Sequence, residues 1–263
     1  MVLLGLWLAL LLGGCGKPKP DASPAPTPKL APYQWLGRIE PEFLFSSTAT
    51  GSKHTIRVYL PKGYPTSGRD YPVLYMTDAQ WAFAFYAETL DWKHKEAILI
   101  GVDQGSAARR MLDFSSWGAN DYLRFLKQEL IPAIENKFRT NHERTYLGVS
   151  LGGLFGAVLL CDEPVGTPYF KNYLLFDGSF NFLTSQNIHS EEARFQASSS
   201  LDLQIILTGA TPGNAPHASA FADRYQKRRY QMLKLTYKAY AIPHDGIAAP
   251  SFGDFVDVVY ESK

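Results

Sequence analysis

Cysteine is scarce in this sequence, and so is any excess of charge of one sign. Only Cys15 and Cys161 occur among 263 residues, so metal sites built from paired cysteines are excluded. The 26 basic residues nearly balance the 25 acidic ones, and no basic block stands out. The sequence therefore has no basic patch of the kind that binds nucleic acid, and its net charge does not indicate an acidic substrate.

No apolar run is long enough to predict a membrane-spanning helix. The longest, MVLLGLWLALLLGGC at 1–15, is shorter than the roughly 20 residues that a span needs. It predicts the apolar region of a secretory signal, although no Lys or Arg precedes it. Its end, LGGC, resembles a bacterial lipobox, which implies that Cys15 is lipidated. A buried N-terminal strand or helix is the structural alternative.

The segment after this run predicts a tether. Residues 16–32, GKPKPDASPAPTPKLAP, carry six prolines among small and polar residues, which favours an extended chain that packs no core. Gly16 follows Cys15, and by resemblance to Gram-negative lipoproteins this implies the periplasmic face of the outer membrane in the bacterial cell envelope. If Cys15 carries a lipid, Cys161 has no partner for an intramolecular disulfide.

Residues 33–263 predict one α/β domain. The segments EFLFSST and HTIRVYL flank a turn at Gly51 and predict an antiparallel hairpin. Continuous apolar runs such as YPVLYMT and EAILIGV are typical of strands buried on both faces of a parallel sheet. Helical patterns alternate with such runs to the end of the chain. The alternation predicts a mostly parallel central sheet with helices on both faces, opened by the hairpin.

One predicted helix contains a helix breaker. Apolar residues recur at helical spacing over 120–138, and Asn120 is a plausible N-cap. Because Pro132 lies inside this segment, we expect a kink there.

The sequence GVSLGG at 148–153 places Ser150 between Gly148 and Gly152. A strand pattern, RTYLGV, precedes the serine and a helix pattern, LGGLFGAVLL, follows it. This context predicts a nucleophile elbow, a sharp strand-to-helix turn that exposes the serine hydroxyl. The glycines permit close approach of strand and helix, and the helix N-terminus favours an oxyanion. The alternative is a glycine-rich loop with a structural serine.

A serine hydroxyl is a weak nucleophile and needs a base. In hydrolases with this elbow the chain order is nucleophile, acid, histidine, so we expect the base after Ser150. His244 lies in the loop between the last predicted strand and the last predicted helix, where that base belongs. Of the other two histidines after the serine, His217 is a candidate for lining the cleft, and His189 is predicted at the surface.

Several segments in a fixed order resemble the "Putative esterase" family of α/β-hydrolases, which includes enterochelin esterases, S-formylglutathione hydrolases, feruloyl esterases and mycolyltransferases. The matching pieces include RVYLPKGY (57–64), YPVLYMTDAQWAF (71–83), AILIGVD (97–103), RRMLDFS (109–115), YLGVSLGGLFGA (146–157), LLFDGSF (174–180) and PHDGIAAPSF (243–252). The resemblance implies an α/β-hydrolase fold and an activity that needs no metal or organic cofactor.

The resemblance also implies an oxyanion hole made of two backbone N–H groups. One belongs to Leu151, the residue after the nucleophile. The other belongs to Gln80 in the loop MTDAQ, which Asp78 holds and in which Ala79 replaces the usual glycine. A second interpretation of Asp78 is that it caps the helix that follows.

The catalytic acid is not at its usual place. The family places a carboxylate just after the strand that precedes the histidine strand, and this region reads LTGATPGNAP. Asp223, on the next predicted helix, is the preferred substitute because mycolyltransferases use such a position. Asp177, at the end of the preceding strand in LLFDGSF, is the runner-up. A histidine oriented by water or a backbone carbonyl is the third possibility.

The predicted function is a serine carboxylic-ester hydrolase that works through an acyl-enzyme on a small-molecule ester. Asp78, Trp81 and Arg110 are predicted to bind substrate, although core packing is an alternative for any one aromatic residue. An aromatic cleft would suit siderophore or feruloyl-type esters. The alternatives are an acyltransferase of the same fold and a catalytically inactive binding protein of the envelope. Contact with a membrane is expected only through the lipid anchor.

Overall fold

A computed structural model of the chain describes residues 33–115 and 118–260. The predicted signal segment 1–15 with Cys15 and the predicted tether 16–32 lie outside the described residues, so both stay predictions. Among the described helices, none combines the length and the apolar character that a membrane crossing requires.

One sheet of nine strands runs through the described residues. The strands are β1 Arg38–Ile39, β2 Phe43–Ser47, β3 Ser52–Leu60, β4 Tyr71–Met76, β5 Ile98–Val102, β6 Thr140–Val149, β7 Asn172–Phe176, β8 Gln204–Ala210 and β9 Lys234–Tyr240. Their order is β1-β3-β5-β4-β6-β7-β8-β9, and β2 also pairs with β3. All pairs from β5 to β9 are parallel, whereas the pairs that β3 makes are antiparallel. The predicted mostly parallel sheet with an N-terminal antiparallel hairpin is confirmed.

Helices connect the strands. They are α1 Ala79–Trp92, α2 Ala107–Phe114, α3 Ala119–Arg124, α4 Ile131–Lys137, α5 Leu151–Cys161, α6 Ser185–Ala197, α7 Ala215–Arg228 and α8 Ala248–Val259. A π-helical segment, Phe125–Leu130, joins α3 to α4. Short 3-10 turns follow β7 at Phe180–Phe182 and β9 at His244–Gly246.

The apolar core lies on both faces of the sheet. Along β4, Val73 and Tyr75 pack on one face, whereas Leu74 and Met76 pack on the other. Successive side chains of a strand point to opposite faces, so a strand covered on both faces is apolar throughout. Residues of α1 and α8 cover one face, and residues of α5 and α7 help to cover the other. The predicted helices on both faces are therefore confirmed.

The helix predicted over 120–138 forms with two differences. It begins at Ala119, so Asn120 lies inside the helix and the prediction that it is the N-cap is wrong. The backbone widens into the π-helical segment just before Pro132. Proline has no N–H to donate, and its ring crowds the carbonyl four residues earlier, so a helix that contains it needs a local adjustment.

The order of the strands reverses between β4 and β6. The chain runs from β4 outward to β5 and then returns to the other side of β4 as β6. Connections that leave neighbouring parallel strands in opposite directions open a crevice beyond the carboxyl ends of those strands. Asp78 lies just after β4 and Ser150 directly follows β6, so the topology brings these two residues to the same crevice.

His54 is a buried titratable group in β3, away from this crevice. Its side chain is stacked on Phe125 with ring centroids 4.3 Å apart, and its Nε2 lies 2.9 Å from the hydroxyl of Thr50. Burial and, to a smaller extent, the nearby charge of Arg109 together lower the pKa of His54 to about 4. The folded protein therefore keeps this imidazole neutral at pH values where an unfolded chain protonates it.

We expect His54 to reduce stability as the pH falls from about 6.5 towards 4, because only the unfolded chain takes up its proton in that range. His54→Gln should remove this contribution, which amounts to on the order of 1–3 kcal/mol at the acid end. Urea unfolding at pH 7 and at about pH 4.5 measures it, with His189→Gln, an exposed histidine, as the control. Equal pH dependence in the wild type and His54→Gln would contradict the expectation.

Candidate active site

Ser150 occupies a strained turn between β6 and α5. Its φ is 59° and its ψ is −118°, a combination that residues with a side chain rarely adopt. The turn is so tight that a Cβ on Gly148 would fall 2.2 Å from the carbonyl oxygen of Gly152. The Ser150 side chain makes no capping bond to the α5 amides, so its hydroxyl is not occupied by its own helix.

Two helix N-termini lie side by side at this turn. Leu151 is the first residue of α5 and Gln80 is the second residue of α1, and these helices follow the adjacent strands β6 and β4. The first amides of a helix have no acceptor within the helix and carry partial positive charge. The two residues predicted to form the oxyanion hole therefore begin neighbouring helices at the same edge of the sheet.

His244 is held by a buried carboxylate. It lies in the 3-10 turn after β9, and its Nδ1 is 2.5 Å from Oδ2 of Asp177. Asp177 follows β7 and is completely buried. Its other oxygen, Oδ1, accepts backbone N–H bonds from Ala210 at 2.7 Å and from Asn214 at 2.9 Å. The carboxylate is thus fixed from both sides, and it orients the imidazole.

The preference for Asp223 as the partner of His244 is wrong. Asp223 is an exposed residue of α7, and the structure pairs His244 with Asp177, the runner-up. The loop after β8 lacks a carboxylate, but its amides hold the carboxylate of the neighbouring strand. A Cβ on Gly213 in this loop would lie 2.8 Å from Oδ2 of Asp177, so the close passage of the loop requires glycine there.

Ser150 and His244 line one cleft of about 590 Å³. The three residues predicted to bind substrate, Asp78, Trp81 and Arg110, line the same cleft. Trp81 is 66% exposed, so its indole is available to a ligand rather than packed in the core. The cleft therefore combines a hydroxyl, an imidazole and an aromatic wall.

The other histidines after the serine lie elsewhere. His217 belongs to the start of α7 and lines a separate cavity beside Phe180 and Arg224. The interpretation that it lines the Ser150 cleft is therefore wrong. His189 is exposed on α6, as the sequence indicated.

Arg110 and Asp78, which both line the cleft, form a bidentate ion pair. Nε and Nη2 of Arg110 donate to the two Asp78 oxygens at 2.7 Å and 2.8 Å. Nη2 also donates to the carbonyl of Val149 at 3.3 Å. Burial raises the pKa of Asp78 above its ordinary value, and the hydrogen bonds from Arg110 offset part of that rise.

Asp78 does not cap α1 with its side chain, which overturns the second interpretation of this residue. Its backbone is left-handed, with φ 59° and ψ 33°, and its carboxylate is turned to Arg110. Arg109, the preceding residue, pairs instead with Asp113 one helical turn away. The two adjacent arginines therefore serve different carboxylates.

Two polar residues that support the site were not predicted. Gln104 donates its backbone N–H to the side-chain oxygen of Gln80 at 3.0 Å and so fixes the start of α1. The side chain of Asn214 donates to the carbonyl of Asp177 at 2.9 Å. The only sequence signal for Asn214 was its place in a loop rich in glycine and proline. Gln104 carried no signal, because its role depends on a contact between the loop after β5 and the start of α1.

Among residues 33–115 and 118–260, no three His, Cys, Asp or Glu side chains are grouped closely enough to hold a metal ion.

Comparison with known proteins agrees with the sequence resemblance. A family model described as "Putative esterase" matches residues 47–165. Esterase Rv1288 of Mycobacterium tuberculosis is 36% identical over 126 residues, which are 44% of this chain and 27% of that protein. The chain thus spans about a quarter of the length of that relative.

Solved structures extend the likeness in fold to most of the chain. An IroE-like serine hydrolase from Shewanella oneidensis superposes with a TM-score of 0.72 at 23% identity, covering 86% of this chain and 80% of that one. The siderophore hydrolase EstB of Aspergillus nidulans gives 0.69 at 17% identity, covering 89% and 98%. A ferulic acid esterase gives 0.64 at 16% identity, covering 86% and 99%. The chain therefore resembles the "Putative esterase" family over residues 47–165, and its fold is that of an α/β-hydrolase.

Proposed function

We propose that this protein is a serine carboxylic-ester hydrolase that acts through Ser150, His244 and Asp177. The observation that supports this most strongly is the shared cleft, because Ser150 on its strained turn and His244 on its buried carboxylate both line it. The family match over residues 47–165 agrees, since the matched model is an esterase model.

In the proposed reaction, Oγ of Ser150 attacks the ester carbonyl carbon while Nε2 of His244 takes the serine proton. Asp177 keeps the proton of His244 on Nδ1, which leaves Nε2 free to act as the base. The negative oxygen of the tetrahedral intermediate accepts N–H bonds from Leu151 and Gln80. His244 then protonates the leaving alcohol. In the second half of the reaction His244 takes a proton from water, the water oxygen attacks the acyl carbon, and His244 returns the proton to Oγ of Ser150 as the acid leaves.

The substrate proposed is a small-molecule ester with a flat, largely apolar acyl group, of siderophore or feruloyl type. Two observations support it. The cleft has the exposed indole of Trp81 and the ring of Phe85, 37% exposed, on its walls. Proteins of similar fold are named siderophore hydrolase and ferulic acid esterase.

An inactive binding protein is the weaker alternative. Its sequence support was the lack of a carboxylate in the loop after β8. Asp177 supplies a carboxylate to His244 from β7 instead, so this support is removed.

A fluorophosphonate probe should label the wild-type protein at Ser150, because the probe reacts with an activated serine. Ser150→Ala and His244→Ala should both abolish labelling and lower p-nitrophenyl ester hydrolysis by at least about 10³-fold. Intact-mass and peptide-mass measurements identify the labelled residue. Ser185→Ala, at an exposed serine of α6, is the control and should label normally. Hydrolysis that survives Ser150→Ala would refute the proposal.

Asp177→Asn should lower kcat by about 10²- to 10⁴-fold, because an amide does not hold the imidazole in the required tautomer. Asp223→Asn should stay within about twofold of the wild type, as expected for an exposed residue away from His244. Steady-state kinetics on one ester compare the two variants, and thermal unfolding confirms that both fold. A larger loss in Asp223→Asn than in Asp177→Asn would reverse the assignment.

We also propose that Cys15 anchors the protein through lipid at the periplasmic face of the outer membrane. Cys15→Ser should move the protein from the membrane fraction to the soluble fraction in a bacterial host, because the thiol that accepts the lipid is lost. Fractionation and mass spectrometry of the mature N-terminus measure this, with Cys161→Ser as the control. An unmodified Cys15 in the wild type would contradict the proposal.

A further inference from the structure

The Asp78 carboxylate lies where the proposed reaction creates negative charge. Asp78 immediately precedes α1, whose second residue is Gln80. It also borders α5, since a Cβ on Gly152 would lie 3.2 Å from its Oδ2. An unpaired carboxylate between the two helix starts would repel an oxyanion held there. It would also compete for the free amides, because aspartate is among the strongest helix-capping residues.

The carboxylate does neither, because its hydrogen bonds go to Arg110. Both of its oxygens accept bonds from the guanidinium, and the α1 amides receive no bond from its side chain. The central carbon of the guanidinium lies 5.6 Å from the centre of the Trp81 ring and 5.7 Å from the centre of the Phe114 ring. A third bond ties it to the carbonyl of Val149, the residue before Ser150.

We propose that Arg110 is a positioning residue that keeps the oxyanion hole open by binding and neutralising the Asp78 carboxylate. The inference rests on the proposed ester hydrolysis through Ser150. It assigns Arg110 a role in the rate of the chemical step rather than in ground-state binding of substrate. Loss of Arg110 then damages catalysis because Asp78 remains, and removal of the Asp78 carboxylate in the same background restores activity.

The test compares Arg110→Gln with two double variants, Arg110→Gln/Asp78→Gly and Arg110→Gln/Asp78→Asn. Glycine and asparagine both tolerate the left-handed backbone at position 78 and both lack the charge. The measurements are kcat and KM on a p-nitrophenyl ester and the Ki of phenylboronic acid. The boronate forms a negatively charged tetrahedral adduct with the serine, so its affinity reports the oxyanion hole directly.

We expect Arg110→Gln to lower kcat by about 10- to 100-fold while KM changes by less than about threefold. The Ki of phenylboronic acid should rise by a factor similar to the loss in kcat. At least one double variant should recover about fivefold or more of kcat over Arg110→Gln. The Ki of phenylboronic acid separates this from a merely structural role, because a loss of folded protein alone lowers the apparent kcat but leaves that Ki unchanged.

Arg144→Gln is the matched control. It breaks the two hydrogen bonds from the Arg144 guanidinium to Glu135, two residues that are not among those lining the cleft, and should lower thermal stability without changing kcat by more than about twofold. The proposal is overturned if neither double variant is faster than Arg110→Gln, or if Arg110→Gln raises KM alone. A wild-type protein that neither labels with fluorophosphonate nor hydrolyses esters would instead refute the proposed function.

Discussion

The site depends on two neighbouring helices whose first amides are left uncapped by the residues that precede them. Asp78 and Ser150 are both of residue types that commonly cap helices, and both have a φ of 59°. Neither side chain bonds to the helix that it precedes. The positive ends of α1 and α5 therefore remain available to the charge of a ligand. The reversal of strand order between β4 and β6 places those two ends side by side.

On the His244 side of the site, a buried negative charge is stabilised by hydrogen-bond donors from other parts of the chain. The buried carboxylate of Asp177 has lost its contact with water, and such a group is stable only when its hydrogen bonds are replaced. Ala210 at the end of β8, Asn214 in the loop after β8 and His244 in the turn after β9 supply them. Arg110 performs the corresponding task for Asp78. Asp177 thus holds together the ends of two other strands, and His244, beyond one of them, lines the cleft.

Much of the fold followed from local patterns in the sequence. Continuous apolar runs indicated strands covered on both faces, as for β4 and β5, and the Gly51 turn indicated the hairpin. Ser150 and His244 could be selected because a strand, a tight glycine turn and a loop before the last helix are local features. The choice between Asp223 and Asp177 could not be made in this way. Both lie in plausible places along the chain, and only the three-dimensional arrangement shows that Asp177 contacts the imidazole while Asp223 is exposed on α7.

By itself, the sequence determined the order of strands and helices and the residue types that each turn can hold. These depend on interactions between residues close in the chain, such as periodic burial and the steric freedom of glycine. The tertiary structure alone decided which charges are neighbours. Arg110 was free to pair with the nearby Asp113, but it binds Asp78, 32 positions away, while Arg109 takes Asp113. Pairing of buried charges depends on distance in space and on loss of water, and neither is fixed until the sheet has assembled.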